Sequence, residues 1–187
     1  MTKFKKYHLA FIVLLFALLG LVAINFLQGS ASLQRIHSAI EASYQNVSHI
    51  SAEEFEHFEP RGTLVFDVRQ PEEHAVSHLP NAIWLDPSSS AEDFVEDFGA
   101  ELVGKRVIFY CSVGRRSSDM LSRLLNDPEA GPVLQQAQLT ANLEGGVFSW
   151  ANNERSLVDS NQQTTQKVHP FNAFWGRLIK DSSKQQY

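Results

Sequence analysis

The 187 residues contain one cysteine and two methionines. A single cysteine cannot close an internal disulfide, so Cys111 is a free thiol, placed where it is by chemistry or by packing. Basic residues are also scarce, with 16 lysines and arginines against 21 acids and a net charge of −5. The imbalance is uneven: residues 1–28 carry Lys3, Lys5 and Lys6 and no acid, leaving 13 basic against 21 acidic residues in the remainder. An acidic body offers no basic face to phosphates, so nucleic acid is not an expected partner. Internal repeats and low-complexity tracts are lacking. What remains has globular composition, 43% apolar and 20% charged, and is long enough for one domain with appendages.

Long apolar runs are confined to one place. After the basic "MTKFKKYH" comes "LAFIVLLFALLGLVAINFL", Leu9 to Leu27, interrupted only by Gly20 and Asn25. As a helix it would reach about 28 Å, close to the hydrocarbon thickness of a bilayer. Lysines before the run and none just after it predict a cytoplasmic N-terminus and an exported remainder. Two readings follow: a retained inner-membrane anchor with the domain facing the periplasm, or a signal segment cut near Ala31 that releases a periplasmic protein. The length of the run favours the anchor. No cysteine follows it, which excludes a lipidated N-terminal Cys.

Residues 29–47 place Leu33, Ile36 and Ile40 at helical spacing and read as a short helix or stalk. Ser51 with Glu54 forms a capping box. "GTLVFDV" (62–68) and "KRVIFYC" (105–111) read as buried strands, "NAIWLD" and "QLTANLEGG" as further strands. "PEEHAVSH" and "SAEDFVEDFGAEL" read as helices, as does a segment opening near Ser117 with Met120, Leu121, Leu124 and Leu125 as its stripe. Alternating strands and helices predict an α/β fold, a central parallel sheet flanked by helices. Residues 155–166 look loose and polar, and "VHPFNAFWGRLI" regains aromatics as a short terminal helix. The expected division is therefore 1–28 membrane or signal segment, 29–47 linker, 48–154 domain, 155–187 tail.

Cys111 ends a buried strand, where ligands of parallel sheets bind. The helix that follows directs its N-terminal amides and positive dipole end toward the sulfur, and Gly114 lets the loop curl its N–H groups inward. Arg115 and Arg116 add positive charge. Each feature favours thiolate over thiol, which makes a nucleophile. A buried cysteine acting as a small apolar residue is the bland alternative, but such a residue needs neither the glycine nor the arginines.

"CSVGRRS", "FDVRQPEEHAVSHLPNAIWLD" and "NLEGGVFSW" together resemble, in order, the three signatures of the rhodanese-like sulfurtransferases. Ser77 and Asn81 depart from the pattern, standing where that family usually has glycine. The resemblance implies that Cys111 takes a sulfane sulfur from a donor such as thiosulfate as a persulfide. It implies that the loop Ser112, Val113, Gly114, Arg115, Arg116 and Ser117 stabilises the anion and holds the donor, and that a thiol or cyanide acceptor completes the cycle. Asp67 and Arg69 would shape the site from beneath. No cofactor is implied. Phosphatases and arsenate reductases sharing this fold cradle phosphate with Cys-x5-Arg. Ser117 occupies that arginine position here, so the loop suits sulfur better. A non-catalytic module for partner binding or sulfur sensing is the remaining alternative.

Other candidates are weaker. His74 and His78 stand four apart, a metal-ligand spacing, yet no acid or cysteine nearby completes a set, and no metal is expected. Glu144-Gly145-Gly146 reads as a tight turn before the next helix. Phe171, Phe174 and Trp175 read as a terminal helix docking on the core beside the active-site mouth, or else as a contact with lipid.

Overall fold

Why the chain forms a sheet buried on both faces is visible in one strand. Along Arg106–Tyr110, Val107 and Phe109 face one way, Ile108 and Tyr110 the other, and all four are fully buried. Cys111 continues the first row, so the sulfur belongs to the same face as Val107 and Phe109. The computed structural model describes residues 11–16, 18, 20 and 32–187.

Five parallel strands, β1 (Ser48–Ile50), β2 (Thr63–Asp67), β3 (Ile83–Trp84), β4 (Arg106–Tyr110) and β5 (Leu139–Leu143), stand in the order β1-β5-β4-β2-β3. The α/β sheet expected from the alternating pattern is present, with β1 added at one edge. In register, Asp67 at the end of β2 lies beside Tyr110 at the end of β4. The carboxyl ends of the two strands therefore open at one level, with Cys111 just beyond.

On one face, Val65, Ile108, Tyr110, Ala141 and Leu143 pack against Leu33, Val147, Phe148 and Trp150. These come from α1 (residues 32–43) and α7 (Gly146–Asn152). On the other, Phe66, Val107 and Phe109 meet Phe94, Met120, Leu121, Leu124 and Leu134. Those side chains lie on α4 (Ala91–Phe98), α5 (Arg115–Asn126) and α6 (Ala130–Leu134). Two short helices, α2 (Ala52–Glu56) and α3 (Pro71–Val76), follow β1 and β2. Ser51 and Glu54 cap α2 reciprocally, as their spacing required.

Three local expectations change. The helix read through His78 stops at Val76, because Ser77 is extended. Helix α5 opens at Arg115 rather than near Ser117, because Gly114 adopts φ 95° and itself takes the capping place. Within the segment read as a helix or stalk, residues 32–43 are helical and lie on the body, with Leu33 and Ile40 buried. Residues 155–166 are not loose. They form a hairpin of β6 (Leu157–Val158) and β7 (Thr164–Thr165), pinned by a fully buried Leu157. The chain then returns through α8 (Ala173–Gly176), burying Val168 and Ile179.

Of the apolar run Leu9–Leu27, residues 11–16, 18 and 20 are helical and exposed. The rest of the run, and Ala31, lie outside the described residues. No helix among the described residues is long and apolar enough to cross a membrane.

Candidate active site

The loop after β4 is gripped from behind. Val147 and Phe148, in the first turn of α7, donate their amides to the carbonyls of Cys111 (2.9 Å) and Ser112 (3.0 Å). This approach requires Gly145 and Gly146, both left-handed at φ 66° and 53°; a Cβ on Gly146 would fall on the Cys111 carbonyl oxygen. With these carbonyls taken up from outside, loop amides are left for the interior. Gly114 N–H donates to Cys111 Sγ at 3.2 Å. Gly114 is itself closely bounded, since a Cβ there would meet Asn142 Nδ2 at 3.0 Å.

The electrostatics follow from this enclosure. Cys111 is 1% exposed, and burial pushes its thiol up. The Arg116 charge and hydrogen bonds from Ser117 and Val113 outweigh burial and hold the thiol below its ordinary value. Arg116 is fixed in place by a two-pronged pair with buried Glu73, Nη1 to Oε2 at 2.7 Å and Nη2 to Oε1 at 2.9 Å. Ser112 Oγ joins them, donating to Glu73 at 2.8 Å and accepting from Arg116 at 2.9 Å. Burial would raise the Glu73 carboxyl, but Arg116 holds it low. Arg115 is exposed at the mouth of the cavity and makes no ion pair among the described residues. Of the two arginines, only Arg116 is placed to act on the sulfur. Ser117 donates its hydroxyl to Asn142 Oδ1 at 2.6 Å.

Asp67 and Arg69 lie beneath this layer, both fully buried and paired at 2.6 Å. Asp67 also accepts from Tyr110 OH at 2.7 Å, and the same phenol oxygen accepts from Leu79 N–H at 3.1 Å. Arg69 reaches the Ser77 carbonyl at 2.6 Å. Burial would raise the Asp67 carboxyl, but Arg69, His74 and Tyr110 hold it far below the usual range. The cluster ties β2, β4 and the segment after α3 together.

His74 and His78 stack at 4.0 Å; His74 Nδ1 meets Asp67, and His78 Nδ1 meets the His74 carbonyl. Their spacing thus serves support of the fold. Asn81 has φ 62°, a turn that Asn tolerates, whereas Ser77 is extended at φ −171° and needs no glycine.

Glu73 and Asn142 escaped the sequence reading. Glu73 looks like any acid in a helix's first turn, but Asn142 carried a signal, as a polar residue inside a buried strand. A third group also escaped it: His37 Nε2 lies 3.4 Å from both Glu41 and Glu144. This is the one set among the described residues with ligand atoms close enough to hold a metal ion. His37 and Glu41 stand four apart, but Glu144 comes from the turn after β5 and only the fold brings it to them.

Above Cys111 lies a cavity of about 340 Å³, bounded by Cys111, Arg115, Arg116, Tyr44, Phe171 and Trp175 among others. Of the three terminal aromatics, Phe171 and Trp175 reach this cavity, whereas Phe174 is exposed and does not line it.

A family model described as a Rhodanese-like domain matches residues 51–153. Among solved structures, a thiosulfate sulfurtransferase from Pseudomonas aeruginosa is similar at 19% identity and TM-score 0.52, over 71% of this chain and 23% of that one. This chain therefore spans about a quarter of that protein. A rhodanese-related protein from Thermoplasma volcanium is similar at 24% identity and TM-score 0.42, over 59% of this chain and 97% of its own. A Saccharomyces cerevisiae homolog of single-domain rhodanese and a phosphatase catalytic domain is similar at 19% and 0.46, over 59% and 86%. Among curated protein sequences none is a significant match.

Proposed function

The chain belongs to the rhodanese-like domain family, and from that premise we propose that it is a sulfurtransferase carrying a sulfane sulfur on Cys111. The observation that carries this reading is the state of the thiol. It is a buried sulfur that the Arg116 charge and loop hydrogen bonds nonetheless hold below its ordinary pKa.

With thiosulfate as donor, the Cys111 thiolate attacks the outer sulfur. A new S–S bond forms, the donor's S–S bond breaks, and sulfite leaves with the electron pair. The Cys111 persulfide anion stays within reach of the loop amides, beside the Arg116 charge. A thiol or cyanide then attacks the outer sulfur and Cys111 departs as thiolate. Stabilising the thiolate therefore helps both steps: it arms the nucleophile first and improves the leaving group second. With one cysteine in the chain, the acceptor comes from outside it. The spacing supports sulfur over phosphate, because the guanidinium stands five residues after Cys111 and position six is Ser117, tied to Asn142.

Incubation with thiosulfate followed by intact-mass measurement tests this. One added sulfur is expected, released by cyanide and absent in Cys111→Ser. No uptake from any sulfane donor, with hydrolysis of an aryl phosphate, would establish a phosphatase instead; neither activity in a folded protein would leave a binding module. The run Leu9–Leu27 supports an inner-membrane anchor with the domain on the periplasmic side. Fractionation decides that point: full-length protein in the membrane is expected, and a soluble form beginning near Ser32 would mean cleavage.

A further inference from the structure

Away from the thiol, α1 meets the turn between β5 and α7 through polar groups. Leu33 and Ile40 bury one side of α1, and His37, four residues after the first and three before the second, lies on that same side. Its side chain is only 15% exposed. Glu41 follows one turn later on the helix, and Glu144 faces it from the turn. The turn is fixed at this point, because Glu144 N–H donates to the Ile50 carbonyl at 3.0 Å.

The spacing within this set is that of ligands rather than of hydrogen-bond partners. His37 Nε2 stands 3.4 Å from Glu41 Oε1 and 3.4 Å from Glu144 Oε1. Both distances exceed the roughly 2.7–3.2 Å of an N–H···O bond, and Nε2 carries at most one proton to share between two carboxylates. An ion bonded at about 2.0–2.2 Å to two ligands at tetrahedral angles instead holds them about 3.3–3.6 Å apart. The three ligand atoms all lie within 4.8 Å of one another. A second imidazole borders them: the His49 ring packs edge-on against His37 at 5.3 Å. Its Nδ1 meets Asn142 Nδ2 at 3.1 Å, while its Nε2 is buried with no partner. Polar capacity here exceeds what the protein itself satisfies.

We propose that His37, Glu41 and Glu144 bind a divalent cation of the zinc class, which fastens α1 to the turn after β5. One imidazole nitrogen with two carboxylates suits Zn2+ or Co2+, whereas Mg2+ and Ca2+ favour sets made of oxygen alone. Three protein ligands leave a fourth position to water. The site joins a helix outside residues 51–153 to the turn whose Gly145 and Gly146 support the Cys111 loop. The proposal does not depend on the sulfurtransferase reading.

The test uses the full chain carrying Cys111→Ser, so that the thiolate cannot take up the metal, stripped with a chelator that is then removed. Titration with Co2+, followed by visible absorption, should show the bands of a tetrahedral ion saturating at one per chain and lost on adding Zn2+. Zn2+ should also raise the melting temperature. His37→Gln should abolish the Co2+ bands. Glu41→Gln and Glu144→Gln should each weaken Zn2+ binding at least about tenfold and remove most of the rise in melting temperature. The Glu41 side chain is 51% exposed, so its loss of binding would not reflect unfolding. Failure of both ions to bind, or binding unmoved by all three substitutions, would overturn the proposal. Displacement of Co2+ by an equal concentration of Mg2+ would overturn the assigned class of ion.

Discussion

Arg116 serves two anions from one position. Its fork is spent on Glu73, which fixes the guanidinium, and its charge remains to act on Cys111. This gives a pH prediction with a defined sign. Because the thiol is held below its ordinary value, alkylation by iodoacetamide should stay fast as pH falls through that ordinary value. It should slow only as pH passes the lower, folded one. Any stability the thiolate adds is present above the unfolded thiol's pKa and is lost over the same descent. In the double variant Arg116→Gln/Glu73→Gln, which avoids leaving a carboxylate buried alone, burial is opposed by the loop hydrogen bonds alone. The alkylation midpoint should rise by about 1–3 pH units. An unmoved midpoint would credit the loop hydrogen bonds alone.

At the scale of elements, the site is a contact between two helix starts. Helix α5 presents its amino end to the sulfur while α7 draws the loop's carbonyls away from it. The hinge of this arrangement is the pair Gly145-Gly146. Gly146→Ala should cost about 1–3 kcal/mol by denaturant melt and slow sulfur loading of Cys111 at least about tenfold, since the new Cβ displaces the carbonyl that sets the loop. Gly104→Ala is the control. It has the same left-handed backbone, φ 69°, but nothing within 4 Å, so stability should fall while loading keeps its rate. Loading lost equally in both variants would mean that backbone strain, not the close approach, matters. That Gly-Gly marks a tight turn could be read from the residues; that it sits under Cys111 could not, because β5 and α7 reach the loop only through the sheet.

The whole molecule extends beyond residues 51–153. Helix α1 buries Leu33 and Ile40 on the body, and Tyr44 just after it enters the cavity wall. Arg155 pairs with Glu53 and Glu56 on α2, fastening the start of the tail to the body. Ile40→Ala should therefore cost about 2–3 kcal/mol in urea unfolding, whereas a freely standing stalk would lose nothing. Leu33 and the tail's Leu157, Val168 and Ile179 pack on the sheet face opposite Cys111, while Tyr44, Phe171 and Trp175 reach the cavity above the sulfur, so both flanks contribute to the body and to that cavity.

The sequence alone determined the main sheet and the place of the sulfur at its carboxyl edge. Both are written in near neighbours: the apolar runs ending at Asp67 and Cys111, and the glycine and arginines of one loop. Local readings failed where information came from across the fold. Strand β1 is three residues long and holds its place only by pairing with β5. The tail looked unstructured because its anchors, Leu157, Val168 and Ile179, are too sparse to make a period. Only the tertiary structure chose Arg116 over Arg115, brought Glu73 and Asn142 to the loop, and set Phe171 over the thiol. The physical reason is that charge and burial act over ångströms of space, which the sheet brings together from positions tens of residues apart.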